Sequence, residues 1–306
     1  MNVEITQRDV RARLIDGFER VRKSLRRPTV QRVVFLCTAT VFVLGIAVSL
    51  KASPGLLASL KLAPVLLLIF VFAPTLVVLN TLLLIVTCRI TGVTMGLLGG
   101  LKLSVLSSAA NYLPLPGGPA LRIVAMAERG ATLKNASFAN LAAAMLWFAA
   151  TFLHASAWAL AASSMLFVFF AAIGIFALGA GVLLVRRVSK NLFDIALLII
   201  VNLLIAISYA LGFWVALRLV GYDGGFAQAV IISTAGVIGA AVSFAPSGLG
   251  VRELAAAYIA SLVAVVPALG FIASAVLQMT TIAPLALAAI ILAFTSQAPE
   301  KNKRSG

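Results

Sequence analysis

The sequence predicts an all-α, polytopic membrane protein of two inverted repeats, each of three transmembrane helices plus one re-entrant helical hairpin. Three observations predict it. Long apolar runs recur along the chain, basic residues gather between them, and one Pro/Gly motif occurs twice.

The apolar runs set the class. Of 306 residues, 62% are hydrophobic and 11% charged, and the mean hydropathy is +1.11. A soluble domain of this size needs more polar surface. A bilayer core of about 30 Å needs about 20 apolar helical residues, and several stretches reach that length. The formal net charge is +15, with nine of the 24 Lys/Arg in the first 32 residues and most others between apolar runs or at the C-terminus. That is the marking of cytoplasmic loops, not a basic nucleic-acid face, so no nucleic-acid partner is expected. Cys37 and Cys88 show no repeated spacing, hence no metal or disulfide framework. His154, the single histidine, reads as a helix-packing residue. Without a His/Cys/carboxylate cluster, no catalytic residue, cofactor or metal is expected, and the chain reads as a non-enzyme.

Residues 1–32 form a basic leader. Val10, Leu14, Phe18, Val21 and Leu25 trace one helix face, with Arg11, Arg13, Arg20, Arg22, Lys23, Arg26 and Arg27 elsewhere. Thr6 and Asp9 resemble a capping box with Asp for Glu. The pattern predicts an amphipathic helix on the anionic cytoplasmic leaflet; a solvated charged tail is the simpler alternative. Such an n-region is too long for a cleaved signal peptide.

The first membrane repeat covers 33–160. Helices are predicted at 33–50 and 62–87, an apolar stretch at 95–113 carrying Lys102 and Asn111, a short piece at 120–130, and a helix at 136–160. The second repeat, 161–295, offers helices at 164–185, 194–220 and 226–245, a piece at 251–265, and a last helix at 268–295. Residues 296–306 are a basic cytoplasmic tail.

Each repeat is interrupted at the same place. Pro116-Gly117-Gly118-Pro119-Ala120-Leu121-Arg122 and Pro246-Ser247-Gly248-Leu249-Gly250-Val251-Arg252 both read P-x-G-x-x-x-R, 130 residues apart (246 − 116). If each interrupted pair enters and leaves on one side, each half has three crossings and the second half is inverted. Residues 186–190 and both termini are then cytoplasmic. Lys51 and Lys61 would face outside, a departure from the charge bias.

Broken helices in inverted repeats are a transporter architecture. Non-helical backbone at membrane depth is tolerated only inside protein or along a wet cavity. Pro116 and Pro246 end the preceding helix; Gly117, Gly118, Gly248 and Gly250 let the backbone turn and approach closely. The half-helices that follow aim free N–H groups at the break, with Arg122 and Arg252 in their first turns. Two positive helix ends and two arginines make an anion site, phosphate above all, with Asn111 and Glu253 as further headgroup candidates. The plainer alternative is a pair of ordinary loops with arginines at the headgroups. Three readings of Glu253 are open: a proton carrier, a partner for Arg122, or a residue in water.

At Asn111-Tyr112-Leu113-Pro114 through Arg122, Gly130, and Pro246 through Glu253, the sequence resembles the flippase-like family, the transmembrane region of lysylphosphatidylglycerol synthases and its stand-alone relatives. The likeness extends in helix order over most of 33–295. It implies a multi-pass bacterial inner-membrane protein moving an anionic amphipathic lipid between leaflets: a phospholipid, or a polyprenyl- or hopanoid-type lipid. The synthase's soluble aminoacyl-transferase domain is absent, so lipid aminoacylation does not carry over. Two other functions stay open. One is an accessory subunit docking a lipid-modifying enzyme through the leader. The other is an intramembrane glycosyltransferase, for which Asp223 is the lone carboxylate.

Overall fold

The computed structural model describes residues 44, 47, 51, 62–111, 117–160, 163–242 and 248–296. The leader, most of the expected 33–50 helix, Pro116, Pro246 and the tail beyond 296 lie outside them. Among the described residues there is no strand. Four helices are long and apolar enough to cross a membrane: α1 (Leu62–Ile90), α4 (Leu133–Ala159), α5 (Ser164–Arg186) and α6 (Leu192–Leu219). Shorter pieces are α2 (Leu97–Ala110), α3 (Gly117–Ala127), α7 (Phe226–Ala241) and α8 (Val251–Leu262). The last helix, α9 (Pro267–Ser296), has 30 residues.

Local chemistry explains the ends. Thr132 and Ser163 accept hydrogen bonds from the Asn135 and Leu166 N–H groups at the starts of α4 and α5, and Asn191 accepts from Phe193 at α6. Gly92 and Gly221 take positive φ just past α1 and α6, the left-handed turn that closes a helix. Inside α1, Pro74 has no N–H and its ring crowds the carbonyl four residues back. The chain answers with a π turn over Leu68–Phe72, where the Ala73 N–H donates to Leu68 O. The stretch expected as one helix at 226–245 breaks at Thr234 and ends at Ala241.

Packing is tightest between α4 and α5. Gly174 and Gly181 of α5 lie against Leu153 and Leu146 of α4, so close that a Cβ would collide. Small residues permit this approach where lipid offers no hydrophobic drive. The other face of α5 is bare apolar surface: Met165 is 82% and Phe176 77% exposed. Apolar surface on this scale fits lipid, not water.

Long, short, short, long occurs twice: α1–α4 and α6–α9. The helix starts correspond at offsets of 130, 129 and 134 residues (192 − 62, 226 − 97, 267 − 133). The packing corresponds as well. Helix α1 packs on α6; α2 packs on the far helix α9 as α7 packs on the far helix α4; and α2 with α3 mirrors α7 with α8.

The two ends of the bundle differ. At one end Arg89 Nε is 2.9 Å from Asp194 Oδ1, Arg89 sits 5.3 Å from the Phe193 ring, and Lys134 and Arg187 flank Phe138. At the other, Phe226 packs edge-on against Trp158 and Trp214, and Arg218 lies 5.3 Å from the Trp214 ring. Burial there pushes the Tyr222 phenol above its ordinary value, with Arg218 opposing.

Candidate functional site

The site grows from the two Pro/Gly motifs. In the first, Gly117 and Gly118 start α3 and press on the end of α2; a Cβ on Gly118 would collide with Asn111 Oδ1 and the Ser107 carbonyl. In the second, Gly248 and Gly250 hold φ of +71° and +79°, and a Cβ on Gly248 would collide with the Gly239 backbone of α7. The glycine third from the start of each motif thus marks where the returning chain touches the arm before it. Pro119, third in α3, costs little because the first N–H groups of a helix are unpaired anyway.

Both arginines reach one cavity. It has a volume of about 410 Å³, and Arg122 and Arg252 line it together with Asn111. Residues 130 apart in sequence therefore share a chamber. Arg122 is half-buried and its Nε donates to Ser107 Oγ at 3.0 Å. That bond holds the guanidinium through its Nε, at the wall of the cavity that Arg122 lines. No carboxylate lines the chamber among the described residues. Two cations in a wall that holds no carboxylate among the described residues give a positive potential in a low-dielectric surround, which favours an anion.

The rest of the wall is of two kinds. Asn80, Ser108, Asn140, Tyr209 and Thr281 add neutral hydrogen-bonding groups. Leu83, Trp147, Phe148, Ile205 and Leu285 add apolar surface, and Ala73, Ala143, Ala144 and Ala240 keep it open. The sequence reading did not single out these residues. Asn80 and Asn140 carried a signal, being amides within otherwise apolar stretches. Tyr209 and Thr281 carried none, since which face they occupy is fixed by the neighbours.

Glu253 is not in this wall. It is 0% exposed, which removes the reading in which it sits in water. Its Oε2 accepts from the Gly250 N–H at 2.6 Å, the N3 half of a capping box on α8. Among the described residues no ion pair joins it to Arg122. Asp223 is 95% exposed and its Oδ1 is 3.0 Å from Arg218 Nη1, away from the chamber. His154 lines a second, apolar cavity of about 350 Å³ between α4, α5 and α6, where its Nε2 accepts from Trp158 Nε1 at 3.2 Å. Among the described residues, no group of three His, Cys, Asp or Glu gathers to hold a metal.

No family model, no curated protein and no solved structure matches this chain.

Proposed function

We propose that this protein moves an anionic amphipathic lipid between the leaflets of a bacterial inner membrane. The observation that carries the reading is the convergence of Arg122 and Arg252, from two copies of one motif, on a cavity lined by no acidic residue among those described. A cavity of about 410 Å³ falls in the range of small-ligand sites. It suits a phosphate-bearing headgroup, with the acyl chains left to the bilayer. The apolar wall on one side and the amide and hydroxyl groups on the other match a lipid's two chemistries.

Further observations support two inverted repeats with re-entrant hairpins. The helix order and offsets repeat, and the pairings α2 with α9 and α7 with α4 are what a twofold exchange of the halves would produce. Arg89, Lys134, Arg186, Arg187 and Lys190 cluster near one end, consistent with a cytoplasmic face. The aromatic residues at the other end match an outer interface. The two hairpins then enter from opposite sides and bring their breaks together near the midplane. The motif resemblance to the flippase-like family points the same way.

Reconstitution tests the function. The purified full chain in vesicles should move a labelled anionic phospholipid between leaflets and leave a zwitterionic one behind. Arg122→Ala and Arg252→Ala should each abolish most of that movement. Transport by the purified chain alone separates this reading from an accessory subunit. Unchanged transport in either variant would refute it.

A further inference from the structure

Behind Arg252 lies a second polar site that the anion chamber does not use. Helices α8 and α9 are joined by residues 263–266 and pack as antiparallel neighbours. Gly270 of α9 lies against Ala256 and Ala260 of α8. Glu253 is one turn before Ala256 on that same buried face. Ser274 and Gln278 follow Gly270 at steps of four on its face of α9. The antiparallel run therefore sets Glu253 opposite the turn of α9 that carries Ser274 and Gln278.

All three are sealed from solvent: Glu253 and Ser274 are 0% and Gln278 1% exposed. Yet Glu253 Oε1, Ser274 Oγ and both Gln278 amide atoms have no hydrogen-bond partner among the described residues. Single open atoms occur elsewhere, as at Thr151 Oγ1 and Asn202 Oδ1, but many buried hydroxyls are satisfied. Thr87, Ser107, Ser233 and Thr280 each donate to a carbonyl three or four residues back, as hydroxyls in apolar helices do. Buried polar atoms left open are costly, and four gathered on one helix–helix interface call for a common explanation. Helices α7 and α9, which pack on α8, carry no ionisable residue. On α8 itself the ionisable neighbours are Arg252 and the exposed Tyr258.

We propose that Glu253 is a proton-binding site, with Ser274 and Gln278 as the polar groups of the facing helix that a protonated Glu253 turns toward, and that proton binding is coupled to anion binding at Arg252. A proton fits better than a metal ion. It needs one carboxylate oxygen and one acceptor, whereas a hard cation needs six or so oxygens, more than these three side chains supply. The proton comes from water and returns to water; only an O–H bond forms and breaks. The coupling has a definite sign. Arg252 stands beside Glu253 in sequence and faces the chamber, so its charge favours the carboxylate. An anion on Arg252 offsets that charge and favours protonation. By reciprocity, a protonated Glu253 raises anion affinity. The coupling rests on the anion-site reading; the proton site does not.

Difference infrared spectroscopy on the purified full chain tests both parts. A protonated-carboxyl band should be present at neutral pH in sodium-free buffer and missing in Glu253→Gln, whose amide can still cap Gly250. If that variant fails to fold, Gln278→Leu and Ser274→Ala should each shift the band of the otherwise intact protein. Sulfate, whose charge is fixed across this range, should bind more tightly as pH falls, by up to about tenfold per pH unit for one linked proton. That slope should vanish in Glu253→Gln. No Glu253-dependent band, no shift in either α9 variant, or a band removed by sodium in place of alkali would overturn the proton site. A Glu253-dependent band with pH-independent sulfate binding would overturn the coupling. Failure of lipid transport with the band present would sink the transport reading and leave the proton site standing.

Discussion

The two hairpins, α2–α3 and α7–α8, deliver an arginine to the same cavity by different local means. In the first, Arg122 is followed by an apolar residue, Ile123, and is held by a neutral donor–acceptor pair with Ser107. In the second, Arg252 is followed by a buried carboxylate that caps its own helix through the Gly250 N–H. Among the described residues of the first hairpin, no carboxylate stands beside its arginine. The second pairs its arginine with an ionisable neighbour. On the proposed reading, near-symmetry supplies the anion site, and the departure from symmetry supplies a place where pH acts.

The comparison breaks outright if the hairpins do not enter from opposite sides. Single cysteines introduced at 186–190 should react with an impermeant thiol reagent only from the inside, and cysteines at 220–225 only from the outside. The effect is all or none, and outside labelling of 186–190 ends the two-repeat reading.

Next in size are the arginines. Losing one charge-assisted anchor costs about 1.5–3 kcal/mol, or about 10–150-fold in anion affinity, and Lys should replace either poorly because it lacks the planar fork. Since the two act on one ligand, the double Ala variant should lose little more than the worse single one. Isothermal titration with sulfate and vesicle transport both read this, and additive losses would place the arginines at separate sites.

The close contacts sharpen the comparison further. Gly118→Ala and Gly248→Ala should each destabilise by about 1–3 kcal/mol, read as a lower melting temperature in detergent. Gly248→Ala should be the worse, because it adds a strained positive φ to a backbone clash. The smallest effect is expected at Ser107. Ser107→Ala removes one neutral partner of Arg122, worth about 1 kcal/mol, and should weaken anion binding about fivefold. The same change should leave any pH dependence intact, because that dependence belongs to the other hairpin.

Much of this was legible in the sequence. Helices expected at 62–87, 136–160, 164–185 and 194–220 appear as Leu62–Ile90, Leu133–Ala159, Ser164–Arg186 and Leu192–Leu219. Apolar length alone governs such spans. The convergence of Arg122 and Arg252 was legible because the motif repeats. The break of α7 at Thr234 was not, because no Pro or Gly stands there. The orientation of Glu253 was open too. Successive helical residues point about 100° apart, so with Arg252 toward the cavity, Glu253 turns toward α9. Only the packing of α8 decides which of the two faces the chamber.

The alanines in the cavity wall have a consequence of their own. Ala73, Ala143, Ala144 and Ala240 come from three helices and leave the space in front of the arginines unfilled. They act as a gauge: the bore of the chamber is set by what these side chains lack. Enlarging one, as in Ala144→Leu, narrows the passage without touching a charge. Such a change should spare a compact anion such as sulfate and exclude a headgroup bearing a bulky substituent, rejection by steric conflict instead of by lost attraction. If the transport proposed above holds, cargo size can then change by single methyl groups while the charge chemistry of the site stays fixed.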